Sequence, residues 1–158
     1  MKLLVISDSH GRLSALQEVA ALCNRDKTFA GVIHLGDFER DARYIQKLIK
    51  QPVYSVCGNC DWGSRGDSDL VQMFDGVRIL MTHGHAYRVK MYLLPLAYRA
   101  QEIEVRAALF GHTHAQFMGY EAGVLLLNPG ALQNEKCAVL TIEKGEISAL
   151  LTSLEKLC

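Results

Sequence analysis

His112 and His114 stand one residue apart just past the apolar run 107–110. Two imidazoles so close can serve one small target, because residues two apart share a face of extended backbone. A turn is expected at Gly111, where the missing Cβ permits it and where it would aim both rings at that target. Comparable groups follow other short apolar runs: Asp8 with His10, Asp37, Asn59 with Cys60 and Asp61, and His83 with His85. Five of the six histidines fall in these turns. Imidazole and carboxylate together suit borderline divalent metals such as manganese, iron or zinc, whereas calcium and magnesium favour oxygen alone. Asp-x-His or His-x-His by itself is common in loops. Their joint occurrence with Gly36-Asp37 and Gly58-Asn59 at successive strand ends is what points to chemistry.

These groups converge only if the strands lie side by side. Residues 2–7 are a β-favouring apolar run that stops at Asp8, and Leu13, Leu16, Val19, Ala20 and Cys23 then recur at helical spacing. A strand at 31–35, a helix marked by Ala42, Ile45, Leu48 and Ile49, and a strand at 52–57 repeat the pattern. Alternating strand and helix predicts a parallel sheet, whose functional groups gather at the strands' carboxyl ends. Asp8 and Asp37 precede helices, so a capping role is the competing structural reading. His34, inside an apolar strand, reads as a satisfied core histidine, and Asp61 as a residue that orients the Asn59 turn. An exposed loop is expected over 62–69 and a hairpin over 70–74 and 77–81 around Asp75-Gly76. A helix over 90–102 should be kinked by Pro95. Strands at 116–120, 124–127, 136–142 and 146–151 read as antiparallel. No linker divides the halves, so residues 1–158 are expected to form one domain around a shared core.

Composition narrows the partners. Lys plus Arg and Asp plus Glu number 17 each, so the chain has no global field for a long nucleic acid. The apolar stretch after Met1 ends at Ser7, too soon for a signal-peptide core or a membrane span, and a cytoplasmic location is expected. Five cysteines, an odd number, fit reduced thiols better than a disulfide framework.

Asp8-Ser9-His10, Gly36-Asp37, Gly58-Asn59-Cys60-Asp61, His83-Gly84 and Gly111-His112-Thr113-His114 together resemble the calcineurin-like metallophosphoesterase superfamily, in the family's order and across most of the chain. Thr82-His83-Gly84-His85 and Asn128-Pro129-Gly130 make the small prokaryotic phosphodiesterases the most similar branch. The resemblance implies an α/β architecture of two facing mixed β-sheets, a β-sandwich flanked by helices. It implies two divalent metal ions, manganese first with iron, zinc or nickel as alternatives. Asp8, His10 and His114 would hold one ion and Asn59, His83 and His112 the other, with Asp37 bridging. Two cations about 3.5 to 4 Å apart can activate a shared water and neutralise charge on phosphoryl oxygens. The implied reaction is hydrolysis of a small phosphodiester by a metal-bridging hydroxide, without a covalent enzyme intermediate.

One departure bears on the leaving group. Many members carry a histidine where this chain has Cys60, and a thiol is a less usual general acid than imidazole. Either the preferred substrates carry good leaving groups, or His85 supplies the proton. Arg65, Arg88 and Lys90 are candidate phosphate contacts, although solvation is the plainer fate of each. Tyr92, Leu93, Leu94, Leu96 and Ala97 around Pro95 offer either a homo-oligomer contact or internal packing. Three other readings compete. The fold also serves as a non-catalytic scaffold in a eukaryotic trafficking complex, where the metal site is incomplete. A nuclease is disfavoured by the neutral charge. Cys57-x-x-Cys60 invites a redox role that would leave the histidines and carboxylates unexplained.

Overall fold

A computed structural model describes residues 1–64 and 66–157. Ten strands form two five-stranded mixed sheets. The first has the order β10-β9-β1-β2-β3, from β1 (Lys2–Ile6), β2 (Phe29–His34), β3 (Val53–Ser55), β9 (Lys136–Glu143) and β10 (Glu146–Ser153). The second has the order β4-β5-β6-β8-β7, from β4 (Asp69–Phe74), β5 (Val77–Thr82), β6 (Ala107–Leu109), β7 (Gln116–Glu121) and β8 (Val124–Pro129). Helices α1 (Leu13–Arg25), α2 (Glu39–Leu48) and the short α4 (Leu154–Leu157) accompany the first sheet, and α3 (Leu94–Glu102) covers the second.

The two-residue period of a strand explains why the apolar runs are continuous rather than alternating. In β1, Leu3 and Val5 face the space between the sheets while Leu4 and Ile6 face the helices. On the second sheet Ile79, Met81, Ala107, Leu109, Leu125 and Leu127 point inward, and Leu80, Ala108, Phe110 and Leu126 pack towards α3. Each large side chain so buried contributes about 1.5–3 kcal/mol.

Two expectations need correction. The strands after residue 115 are not all antiparallel, since β8 runs parallel to β6 while pairing antiparallel with β7. β9 and β10 cross back to complete the first sheet, with β9 antiparallel to β1. Pro95 does not kink a helix; it lies in the first turn of α3, where its missing N–H costs no internal hydrogen bond. Leu96 and Ala97 are buried, whereas Tyr92 and Leu94 stay exposed. Among the described residues no helix is long and apolar enough to cross a membrane.

Candidate metal centre

The turns after β1, β2, β3, β5 and β6 meet at one end of the sandwich and are stitched together through their backbones. Asp8 N–H donates to the Gly36 carbonyl at 3.1 Å, and Gly111 N–H to the His83 carbonyl at 3.0 Å. Asp8, His10, Asp37, His112 and His114 all have φ between +45° and +66°. Asp and His are among the residues that tolerate this region, though at a cost of about 1–3 kcal/mol each. The left-handed bends swing consecutive side chains to one side. Capping is not their role: the residues at the helix N-caps are Arg12 and Phe38, and neither cap has a side-chain hydrogen bond.

The bend at the His-x-His pair is made by the histidines themselves, which corrects the role expected of Gly111. Its φ is not positive; what it supplies is room. A Cβ there would stand 1.9 Å from Ser7 Oγ and 2.8 Å from Asp8 Oδ2. Gly58 plays the same part opposite, where a Cβ would approach Asp37 Oδ1 to 2.1 Å.

Asp8, His10, Asp37 and His114 bring one donor atom each within 4.8 Å of one another. His114 Nε2 lies 3.1 Å from Asp8 Oδ1, and His10 Nε2 3.9 Å from Asp37 Oδ2. His83 Nε2 lies 3.4 Å from Asp37 Oδ1 and 4.0 Å from Asp8 Oδ1. The His112 ring centroid is 5.1 Å from that of His83. His112 and His114 thus flank the same pair of carboxylates. Asn59 is exposed, with its amide nitrogen 3.5 Å from Cys60 Sγ. His85 stands further back, its ring 6.1 Å from His112.

Two atoms test whether a cation suits this place. Asp8 Oδ1 and His83 Nε2 are buried and have no hydrogen-bond partner. The other atom of each group is used: Asp8 Oδ2 accepts from Ser7 Oγ at 2.6 Å, and His83 Nδ1 donates to the Leu35 carbonyl at 2.7 Å. That second bond leaves the Nε2 lone pair facing carboxylate oxygens. Among the described residues neither Asp8 nor Asp37 has a Lys or Arg partner. A buried carboxylate oxygen left without a donor is costly, and a cation ligated by Asp8 Oδ1 and His83 Nε2 would remove the cost. The donor set fits a divalent metal of the manganese-to-zinc series.

The electrostatics agree. Burial works against the charge of Asp37, but His83 and the Cys60 amide outweigh it and hold the carboxyl well below its ordinary range. Burial likewise opposes charge on His83, yet Asp37 and Asp8 raise its pKa. His112 is lowered to about 4, first by burial and then by His83 and Lys90, so its imidazole is neutral and ready to donate a lone pair. Burial, followed by His83, lowers His85. Burial and then Asp37 raise Cys60, which keeps its proton at neutral pH.

Supporting residues were only partly foreseen. Asp61 braces the Asn59 turn as expected, accepting from Gly58 N–H at 2.8 Å and from Glu39 N–H at 2.7 Å. His34 is fully buried, with Nε2 2.8 Å from Ser9 Oγ, which in turn donates to Asp41 Oδ2 at 2.7 Å. This chain locks the turn between Asp8 and His10. Asn128 was read only as part of a turn, yet it donates to the Gly111 carbonyl and Thr113 Oγ1, both at 2.9 Å, and so holds the His-x-His loop. Gln133, 3.3 Å from His114 Nδ1, carried no local signal. Cys57 and Cys60 are free thiols. Arg65 lies outside the described residues.

A fold of two helix-flanked mixed sheets with carboxylates and imidazoles at the strand ends defines a metallophosphoesterase-type protein. The description of the calcineurin-like phosphoesterase superfamily domain matches residues 1–145, and the chain belongs to that superfamily. A probable metallophosphoesterase of Bacillus subtilis (strain 168), YsnB, is 34% identical over 149 residues, covering 90% of this chain and 85% of its own length. A phosphodiesterase of Methanocaldococcus jannaschii is 27% identical, covering 89% and 87% respectively. The crystal structure of a predicted phosphoesterase from Streptococcus pneumoniae TIGR4 matches with a TM-score of 0.80 at 26% identity, over 98% of this chain and 90% of that one. Family and donor cluster together support a metal-dependent phosphoester hydrolase.

Proposed function

We propose that the chain is a phosphodiesterase with a dinuclear metal centre. Asp8, His10 and His114 would hold one divalent cation and Asn59, His83 and His112 the other, with Asp37 placed to serve both. The observation that carries this reading is the pair of buried, unbonded atoms Asp8 Oδ1 and His83 Nε2, 4.0 Å apart, with Asp37 Oδ1 3.4 Å from the histidine. Such cations, when bound, supply an activated water and neutralise charge on the phosphoryl oxygens. Manganese is the proposed metal, with iron, zinc and nickel as competitors.

The protein's own groups do the rest. Asp37 concentrates negative charge between the two ligand sets, and the Cys60 amide fixes one of its oxygens. Asn59, exposed with its amide nitrogen against Cys60 Sγ, would have to turn in to ligate. Cys60 holds a proton beside Asp37 and is the proposed donor to the leaving alkoxide, with His85 as a substrate contact or alternative donor. The substrate is a small diester in the cytoplasm, acted on by a single domain; a neutral chain does not attract a long nucleic acid. The exposed Tyr92 and Leu94 are the proposed face of any homo-oligomer.

Metal analysis with hydrolysis of a panel of mono- and diesters, in wild type and Asp37→Ala, tests the reading. Two metal equivalents and diester turnover are expected in the wild type, and loss of both in the variant. Loss of one metal without loss of turnover would sink the mechanism. Wild-type protein with neither metal nor turnover would favour the scaffold.

A further inference from the structure

Beside the metal centre a cleft of about 700 Å³ opens between the start of α2 and the loop after β3. It touches the centre at two points. The Phe38 ring stands edge-on to His10 with centroids 5.3 Å apart, and Cys60, whose amide bonds Asp37, is part of the wall. The charges inside it are mostly spent. Arg43 makes bonds of 2.9 and 3.0 Å to the two Glu39 oxygens, Ser64 adds another at 2.6 Å, and Asp61 is committed to backbone amides.

Arg40 is the exception. Its guanidinium lies 4.6 Å over the Phe38 ring and has no carboxylate partner among the described residues. The stack on Phe38 preorganises a flat cation with free donors near Gly11, the residue after His10. At the mouth of the cleft stands Trp62, 93% exposed. An indole left in water at the rim of a polar cleft is a platform on which another flat ring gains by stacking. A cleft offering one unpaired guanidinium and one bare aromatic face is complementary to an anion joined to a flat ring.

We infer that this cleft receives one arm of the substrate, an arm whose nucleobase stacks on Trp62 while Arg40 holds a phosphoryl oxygen. The substrate class is then a small nucleotide diester. The inference rests on the phosphodiesterase reading for its catalytic consequence, but the binding it requires is measurable without turnover.

Trp62 is the only tryptophan in the chain, so selective excitation of indole reports on this position alone. Adenosine monophosphate should quench the emission saturably, and ribose 5-phosphate, which lacks the ring, should not. Arg40→Gln should raise the Kd for adenosine monophosphate about tenfold. In turnover, thymidine 5′-(p-nitrophenyl) phosphate and methyl p-nitrophenyl phosphate share a leaving group and differ in the other arm. Trp62→Leu should lower kcat/KM about tenfold for the first, through KM, and leave the second unchanged. Absent quenching, equal quenching by ribose 5-phosphate, or a Kd indifferent to Arg40→Gln would each overturn the inference, even with hydrolysis intact. A second overturning result is an equal loss on both esters in Trp62→Leu. Quenching that depends on the ring and on Arg40, without turnover of any ester, would sustain the nucleotide site and defeat the phosphodiesterase reading instead.

Discussion

The backbone amide of Cys60 donates a 2.9 Å hydrogen bond to Asp37 Oδ1, so the turn after β3 rests on the carboxylate that follows β2. Two strand ends that carry different candidate ligands are thereby coupled through one side chain. Asp37→Asn keeps an acceptor for that amide and removes the charge; Asp37→Ala removes both. Metal affinity is expected to fall about a hundredfold or more in each, read by titration calorimetry. Both variants should lose metal-free stability in urea, the asparagine through the charge that faces His83, and the alanine by about 1–3 kcal/mol more because the amide also loses its acceptor. Wild-type metal affinity in Asp37→Asn would remove the bridge from the scheme.

Gly111→Ala should act by crowding rather than by backbone strain. The added Cβ would stand 1.9 Å from the oxygen of Ser7, which is buried and already bonded to Asp8, so neither neighbour can step aside cheaply. The expected cost is about 1–3 kcal/mol, with reduced metal content because Asp8 is displaced. Denaturation curves and metal analysis on the same preparation check this, and an unaltered metal content would show that the Asp8 carboxylate tolerates displacement.

The metal-free protein should lose stability as pH falls from 6.5, the ordinary imidazole value, towards about 4. His112 titrates near 4 in the folded chain, and burial lowers His34 and His85 as well. Across that window the unfolded chain binds protons that the folded chain refuses, so acid favours unfolding. Asp37, held low, adds stability above the usual carboxylate range that is lost on further acidification. His83 runs the other way: its pKa is raised on folding, so its contribution is complete below 6.5 and fades as the pH climbs. Urea midpoints in chelator at a series of pH values should show the slope, and His112→Gln should flatten it. An unchanged slope in that variant would refute the assignment.

Cys60→His should accelerate turnover most for diesters with poor leaving groups, because imidazole is the better proton donor near neutrality. A leaving-group series of aryl and alkyl diesters measures this directly. Equal changes across the series would count against proton donation from position 60.

The places of the candidate ligands were legible because strand ends announce themselves: an apolar run, then a polar residue beside glycine. Asp8, Asp37 and His83 needed no more than that. What could not be read was any relation through space. Gly111 looked like a hinge because hinge glycines are local, whereas its actual constraint is Ser7, which is remote in sequence. Asn128 hid for the same reason, since its partners lie in a different loop. The pairing of β9 with β1 also escaped, because alternation tells which face of a strand is buried and not which sheet it joins. Pro95 reads as a kink because apolar spacing extends the helix back to residue 90, whereas the helix begins at Leu94 and the proline helps to start it.

The return of β9 to β1 has a consequence for how the protein comes into being. Every proposed ligand has been synthesised by residue 114, yet the strand carrying Asp8 still lacks its neighbour on one side. The 2.8 Å bond from Leu132 N–H to the Ser7 carbonyl, and the bond from Gln133 N–H to Asp8, come from the segment just before β9. A nascent chain therefore holds a full complement of donor atoms for some time before it holds a site. In the proposed scheme metal capture would therefore wait until β9 and β10 close the first sheet.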